Sequence, residues 1–522
     1  MRVRSIRNLN RKNKMFRILL LVLLSMMSLS LQAQDSKKMN ILHIAIDDMN
    51  DWVGPLGGYD GAITPNLDRL AKMGMTFTNA HCTSPACHSS RVANMTGVRP
   101  SRSGIVKNVF NKTPGPSWRD NPLMRDVTTL SQHFRNSGYK AMGGGKIYHS
   151  LQWGPYSEND PATWDEYFPD ANAPIPHQIR SPELVYNPPH FIGRRHSFFT
   201  WGEIPEEDEA MSDYKVASWA ISQLEKKHDK PFFLAAGIFR PHMPWEVPQK
   251  YFDMYPISEI KKLPYREDDL IDAHDHGRRK WHVFVEMNKE WPRVIQSYLA
   301  SITFADAQVG RILDALEKSD YKDNTIITLW SDHGMHIGEK ENWEKFTLWE
   351  ESTRIPMFVV APGVTKPGSV CKRPTSALDI YPTLVELTGT KAPGHLDGES
   401  LVPLLKNPDA ERIQPAITNF KSGDSVRTER YRYIRYNSTT LEELYDHQSD
   451  PNEFTNLAYD PSYAKVLKSH RKELEKYCGR KAPEAIEPPA DYEMHGTDRI
   501  RKKEFVYLKE MVKETLEKIQ EE

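Results

Sequence analysis

Three short apolar runs in this chain each end in polar, chemically capable residues, and this repetition constrains the fold most. Met39 to Ile46 runs into Asp47-Asp48, Pro231 to Phe239 into Arg240-Pro241-His242, and Thr325 to Trp330 into Ser331-Asp332-His333-Gly334. Short continuous apolar runs of this kind read as strands buried on both faces, as in a parallel sheet covered by helices. Helical patterns fall between them. One opens at Thr64-Pro65, with Thr64 as N-cap and Pro65 at the first helical position. Others cover Val127 to Asn136, Val294 to Lys318 and Leu378 to Leu387. Strands alternating with helices predict an α/β fold with a large mixed, mostly parallel sheet sandwiched by helices. Sites in such sheets gather beyond the strand C-termini.

A chain of 522 residues exceeds one simple core, so a large domain and a smaller one are expected. Basic residues Arg11, Lys12, Lys14 and Arg17, then the apolar stretch Ile18 to Leu31 and Gln32-Ala33-Gln34, read as a signal peptide over 1–34. Met15 is an alternative start. The apolar stretch is short of the ~20 residues of a membrane span. The expectation is an exported protein, periplasmic or extracellular, without stable membrane insertion. The main domain is placed at 35–412. A C-terminal subdomain follows at 413–522, where Tyr431 to Tyr436 alternates like a strand and Ser462 to Tyr477 is helical. The tail from Thr497 to Glu522 reads as a charged amphipathic helix. The weaker patterns over 151–225 and 251–289 read as surface insertions. Net charge is −1 with no basic stripe, which argues against nucleic acid. A small anionic substrate would have to be held by local positive residues.

Several segments carry chemistry. Cys87 opens a helix-like run and Arg91 lies about one turn further on the same face, which reads as an anion site at a helix N-terminus, the plainer alternative being a free cysteine packed at a helix start. Asp47, Asp48, Asp332 and His333 stand at strand ends. Each acidic pair alone also reads as a cap or turn. Together, crowded carboxylates call for a cation, and oxygen-rich ligation suggests Ca²⁺ or Mg²⁺. Gly143-Gly144-Gly145 follows a short strand, Tyr139 to Met142, and reads as a turn that lets the backbone approach a ligand before Lys146 and His149. Pro241 and Pro244 stiffen the loop that carries His242. Lys345 follows the Asp-His-Gly turn closely. The cysteines Cys82, Cys87, Cys371 and Cys478 do not form C-x-x-C metal pairs.

Cys87 and Arg91, continued by Met95-Thr96-Gly97-Val98-Arg99-Pro100, resemble the activation motif of type I sulfatases, members of the alkaline phosphatase superfamily. Ser89 stands where that family most often has proline, and Cys82 has Ala86 where the motif requires arginine. Gly145-Lys146-Ile147-Tyr148-His149, Pro241-His242-Met243-Pro244 and Asp332-His333-Gly334 resemble the iduronate-2-sulfatase-like branch. The segments keep family order from Asn40 to Asp397. Glu443 to Asp446, Asp450 to Glu453 and Asn456 to Ala458 resemble the family's C-terminal subdomain.

The resemblance implies an alkaline phosphatase-like catalytic domain with a smaller C-terminal α+β subdomain. It implies oxidation of Cys87 to formylglycine by a maturase, leaving three thiols and at most one disulfide. It implies one Ca²⁺ on Asp47, Asp48, the modified Cys87, Asp332 and His333. The catalytic set it implies is Cys87, Arg91, Lys146, His149, His242 and Lys345. In that set the formylglycine hydrate is the nucleophile and Asp332 assists it. His242 is the general acid and His149 removes the proton that lets sulfate leave. Lys146, Lys345 and Arg91 offset the sulfate charge. The implied activity releases sulfate from sulfated glycans, with Trp153, Tyr156, Trp164, Tyr167 and Trp201 available either to stack on sugars or to pack a core. One alternative is a phosphatase or phosphonate monoester hydrolase of the same superfamily. Phosphatase relatives usually keep threonine or serine as nucleophile and bind two zinc ions, whereas ligands for one metal are visible here. The other alternative is a non-catalytic binder of sulfated glycans, which would be expected to have lost catalytic residues that this chain retains.

Overall fold

The computed structural model describes residues 38–108, 117–149, 159–169, 200–266, 268–274, 279–437 and 441–479. The expected signal peptide, the tail helix, Trp153 and Tyr156 lie outside the described residues. The chain divides into a unit over 1–39, of which only Lys38 and Met39 are described, and a unit over 40–522 that contains everything below.

Eight strands form the central sheet: β1 (Asn40–Ile46), β2 (Met75–Phe77), β3 (Lys140–Gly145), β4 (Glu166–Phe168), β5 (Phe232–Ile238), β6 (Thr325–Ser331), β7 (Met357–Val360) and β8 (Ser369–Cys371). Their order is β8-β2-β7-β6-β1-β5-β3-β4. Only β7 runs antiparallel to its neighbours. The three apolar runs are thus the adjacent central strands β5, β1 and β6. Ile46 lies opposite both Ile238 and Ser331, so all three release the chain at one level. This register gathers their polar successors at one edge.

Helices α1 (Pro65–Met73), α2 (Cys87–Thr96), α3 (Leu130–Asn136), α4 (Ser212–Glu225) and α5 (Trp291–Lys318) surround the sheet. Leu42, Ile44 and Ile46 of β1 and Leu234 and Ala236 of β5 share a core with Leu67 of α1, Ala217 of α4 and Leu299 of α5. The other face of β5 presents Phe233, which stacks on Phe134 of α3 with centroids 5.4 Å apart. Both faces are covered, so apolar runs without alternation are what this position requires.

Local chemistry moved several helix boundaries. α3 starts at Leu130 because Thr129 and Gln132 form a capping box. Thr64 does not cap α1, since its hydroxyl instead accepts the Gly54 N–H at 2.8 Å. Asp306 of α5 takes the free N–H groups of Asn66 and Leu67 at 3.1 and 2.7 Å. The stretch read as an insertion over 151–225 contains α4, a core helix with Ala217, Ala220 and Leu224 buried. Trp201 is fully buried and Trp164 packs on Tyr167 and Phe233, so both are core residues and not sugar platforms.

The glycine run also differs from the expected turn. Gly143, Gly144 and Gly145 lie inside β3. A Cβ on Gly143 would meet the Tyr167 ring at 2.7 Å, and one on Gly144 the Trp219 ring at 2.6 Å. The glycines make room for aromatic side chains, not for a ligand. Gly145 has φ +75° and its missing Cβ would overlap the Gly237 carbonyl.

Four further strands, β9 (Ala416–Phe420), β10 (Gly423–Arg427), β11 (Tyr431–Tyr436) and β12 (Glu442–Asp446), form an antiparallel sheet in chain order. Helix α6 (Ala464–Cys478) covers one face through Leu467 and Leu474 against Val426 and Leu444. On the other, Phe420, Ile434 and Tyr445 pack with Ala86, Leu348 and Trp349. All four cysteines are free thiols. Among the described residues no helix is long and apolar enough to cross a membrane.

Gly145→Ala should destabilise the chain by about 3 kcal/mol or more, because backbone must move to admit the methyl group. Gly389→Ala, at φ +64° in open space, should cost only about 1–2 kcal/mol. Denaturant unfolding of the two full-length variants measures the difference.

Candidate active site

The β1 chain ends by donating the Asp47 N–H to Ile238 O, and Asp332 N–H donates to Ile46 O, each at 3.1 Å. The sheet's own hydrogen bonding therefore sets these two carboxylates side by side. Asp48 follows with φ +61°, in the left-handed region, which strains any residue with a Cβ although aspartate tolerates it better than most, so its surroundings must constrain it. The constraint is visible. Its N–H donates to Asp332 Oδ1 at 3.1 Å, and its carbonyl accepts the Tyr298 hydroxyl at 2.8 Å. The same hydroxyl accepts the Asn50 N–H at 3.0 Å. Ser331 Oγ accepts the Met49 N–H at 3.0 Å.

Asp47, Asp48 and Asp332 are fully buried and bring carboxylate oxygens within 4.8 Å of one another. Three cationic side chains meet them. Arg91 donates from Nε to Asp332 at 2.8 Å and from one terminal nitrogen to Asp47 at 2.9 Å. Lys146 donates to Asp47. Lys345 donates to both oxygens of Asp48, at 2.8 and 2.6 Å. Burial pushes the Asp332 carboxyl up to about 8, Arg91 pulling against it and Asp47 adding to it. Asp47 is equally buried, yet Lys146 and Arg91 outweigh that burial and hold its carboxyl below the usual range. Arg91, Lys146 and Lys345 thus meet Asp47, Asp48 and Asp332 cation for carboxylate.

Cys87 stands at the first position of α2, whose ten residues are all buried. Ala86 cannot cap this helix, so Asn108 supplies the acceptor, taking the His88 N–H at 3.0 Å. Cys87 Sγ lies 3.1 Å from His333 Nε2. Burial alone would raise this thiol, but Lys345, Lys146 and His333 outweigh it and hold it well below its ordinary value.

Two histidines are oriented alike. His333 Nδ1 donates to Gly334 O at 2.9 Å, and His242 Nδ1 donates to Met243 O at 2.6 Å. Carbonyls only accept, so each Nδ1 carries the proton and each Nε2 is presented to the site. His333 Nε2 stands 3.3 Å and His242 Nε2 3.8 Å from an Asp48 oxygen. The His242 loop is held by Asp213, which accepts the N–H groups of Phe239 and Arg240 at 2.8 Å each. Trp245 closes it by donating to Pro241 O at 2.8 Å. His149 sits edge-on to His88, with centroids 6.2 Å apart. Burial lowers its pKa, and interaction with the Cys87 sulfur opposes that shift.

Every expected site residue thus meets at one strand edge. One role changes. The resemblance implies that Arg91 is one of the groups that offset the substrate's charge. It is fully buried and donates to Asp47, Asp332 and the carbonyls of Lys146, Ile147 and Ile46. No donor remains to fork onto a substrate, so Arg91 is a positioning residue for two carboxylates. The donor set, three carboxylates and one imidazole nitrogen brought close together, fits a hard divalent cation. Tyr298, Ser331 and Asn108 support the site without any local sequence signal. A cavity of about 690 Å³ beside the Asp51–Arg354 ion pair is lined by none of the site residues.

A mostly parallel sheet that carries a buried carboxylate cluster at its C-terminal edge, beside a helix N-terminus, is an arrangement suited to a hydrolase of anionic esters, and the family matches assign it to the alkaline phosphatase superfamily. The chain matches the Sulfatase family profile over residues 39–390, and that of the N-sulphoglucosamine sulphohydrolase C-terminal region over 338–480. It belongs to the sulfatase family, as a type I sulfatase and a sulfuric ester hydrolase. A sulfatase of Formosa agariphila is 39% identical over 448 residues, covering 81% of this chain and 83% of the relative. Iduronate 2-sulfatase of Homo sapiens is 26% identical over 404 residues, covering 68% and 70%. Among solved structures, one bound to D-glucosamine-2-N,6-O-disulfate has a TM-score of 0.66 at 20% identity, covering 86% of this chain and 100% of that one. The phosphonate monoester hydrolase of Agrobacterium radiobacter also reaches 0.66, at 22% identity, covering 85% and 96%. At these identities the structures establish a common fold.

Arg91→Met should leave Asp47 and Asp332 buried with less compensation and cost about 3–5 kcal/mol of stability. Arg91→Lys should recover little, because one ammonium cannot span two carboxylates. Unfolding of chains produced without a maturase isolates this effect from any change in Cys87 modification.

Proposed function

We propose that this chain hydrolyses sulfate esters of sulfated glycans, with Cys87 oxidised to formylglycine and one Ca²⁺ held by Asp47, Asp48, Asp332, His333 and the modified residue 87. The observation that carries the reading is the Cys87 sulfur, buried 3.1 Å from His333 Nε2 in a pocket of three carboxylates and two lysines. When present, formylglycine supplies a geminal hydroxyl nucleophile and the cation offsets negative charge on sulfate. The chain's own residues do the rest. Asp332 is positioned to assist the hydroxyl at residue 87. With a cation on the carboxylates, the ammonium groups of Lys146 and Lys345 are available to the sulfate oxygens. His242, its Nδ1 occupied by Met243 O, delivers a proton from Nε2 to the leaving sugar oxygen. His149, beside residue 87, takes the hydroxyl proton that lets sulfate depart.

The Gly-Lys-x-x-His, Pro-His-x-Pro and Asp-His-Gly segments support membership of the iduronate-2-sulfatase-like branch, which this reading includes. Relatives named iduronate 2-sulfatase, Δ4,5-hexuronate-2-O-sulfatase and ulvan-active sulfatase support a sulfated carbohydrate as substrate. The reading includes a formylglycine-generating maturase as partner and export directed by residues 1–34. It also takes 35–412 as the catalytic domain and 413–522 as the C-terminal subdomain. The likeness to a phosphonate monoester hydrolase keeps phosphonate and phosphate esters as a second substrate class to assay.

Active protein should carry an aldehyde at residue 87 in the peptide spanning 81–99, and one equivalent of calcium by metal analysis. An unmodified thiol, or two zinc ions, in active protein overturns the reading. His242→Ala should lower kcat/KM by ~10²–10⁴-fold on a sugar sulfate, whose alkoxide leaves poorly, and far less on nitrophenyl sulfate. Equal losses on both substrates would move the acid role to another residue.

A further inference from the structure

Lys345 reaches Asp48 from a segment whose backbone is unusual. Between residues 338 and 346, Gly338 (φ 114°), Lys340 (51°), Glu341 (52°), Glu344 (71°) and Phe346 (81°) all have positive φ. Four of these carry a Cβ, and the left-handed region costs such residues about 1–2 kcal/mol each. A segment like this keeps its shape only if its surroundings impose it.

Two local devices contribute. His336-Ile337 pairs antiparallel with Trp343-Glu344, and the Gly338 N–H donates to Asn342 O at 3.0 Å. Between these ends the strained stretch is gripped by Lys340. Its side chain is 3% exposed, and Nζ donates to Asp269 Oδ1 at 2.7 Å and to the Glu453 carbonyl. The ring centroids of Trp349 and Tyr445 lie 5.1 and 5.3 Å from the ammonium. Burying this charge is costly, and burial also lifts the Asp269 carboxyl to about 6 against the pull of Lys340. Glu453 is itself held at φ 58°, its carboxylate engaged by Arg432 Nε at 2.7 Å and the Glu350 N–H at 2.9 Å. This turns its carbonyl toward Lys340. None of these atoms belongs to the catalytic constellation.

We propose that Lys340 is a positioning residue: its ammonium, fixed by Asp269 and the Glu453 carbonyl, holds the left-handed hairpin that sets Lys345 against the sulfate site. The proposal rests on the reading of Lys345 as a sulfate-binding group. Lys340 touches no substrate and acts through the backbone of Glu341 to Phe346. It ties the geometry of the anion pocket to the loop after β12 and to the 268–274 segment.

The test uses full-length matured protein and inorganic sulfate as probe, read by calorimetry and by inhibition of nitrophenyl sulfate hydrolysis, well below the melting temperature. Lys345→Ala comes first. If it leaves sulfate affinity unchanged, the reading of Lys345 fails, and with it the premise of the proposal. Given a loss there, Lys340→Met, which keeps the apolar stem, should weaken sulfate binding about tenfold or more. Glu341→Gly added to Lys340→Met should recover most of that loss, because glycine adopts φ near 50° without strain. Unchanged sulfate affinity in Lys340→Met overturns the proposal. A loss that Glu341→Gly does not recover overturns it as well, since Lys340 would then be an ion pair supporting the fold at large.

Discussion

One guanidinium organises this molecule's chemistry. Arg91 is fully buried and bridges Asp47 at the end of β1 to Asp332 at the end of β6. Without it, adjacent parallel strands would deliver two carboxylates into a water-free site where their repulsion is barely screened. With it, both carboxylates are fixed in direction, and their remaining oxygens face Asp48, Lys146 and His333. Because Arg91 is on α2, the same contact also fixes the helix that presents Cys87. The position of Cys87 and the acidic cluster are thus coupled through one side chain with five donors.

Around that bridge the site is built as alternating charge. Lys146 meets Asp47, Lys345 meets Asp48, and His333 lies between Asp48 and the Cys87 sulfur. Each partner comes from a different strand end or loop, so correct sheet register is a precondition for all of them. A slip of one residue between β1 and β6 would turn Asp47 and Asp332 to opposite faces.

Much of this was legible in the sequence, for a physical reason. β1, β5 and β6 are buried on both faces, so their apolar runs are unbroken and stop where the chemistry begins. Asp47, Asp48, Asp332 and His242 could therefore be assigned to strand ends without coordinates. Cys87 and Arg91 were readable because one helical turn links them. Contacts across the fold were not readable. The glycines of β3 looked like a ligand loop because the rings that fill the space belong to Trp164, Tyr167 and Trp219. Tyr298, which holds Asp48 in its constrained conformation, lies in the apolar pattern of α5. Asp306 caps α1 from more than two hundred residues away, and nothing near Thr64 announces it.

The burial of α2 sets a condition in time. Every residue from Cys87 to Thr96 is enclosed, and Ala86 is packed under Phe420 and Ile434 of the C-terminal sheet. On the proposed reading, an enzyme that oxidised Cys87 would need the surrounding backbone extended and accessible, which the finished fold does not offer. Such a modification would compete with folding, and the competition would end when strands more than three hundred residues downstream close over Ala86. The long separation between Cys87 and its cover would then work as a delay. A chain that closed its C-terminal sheet faster would leave Cys87 open to that enzyme for less time.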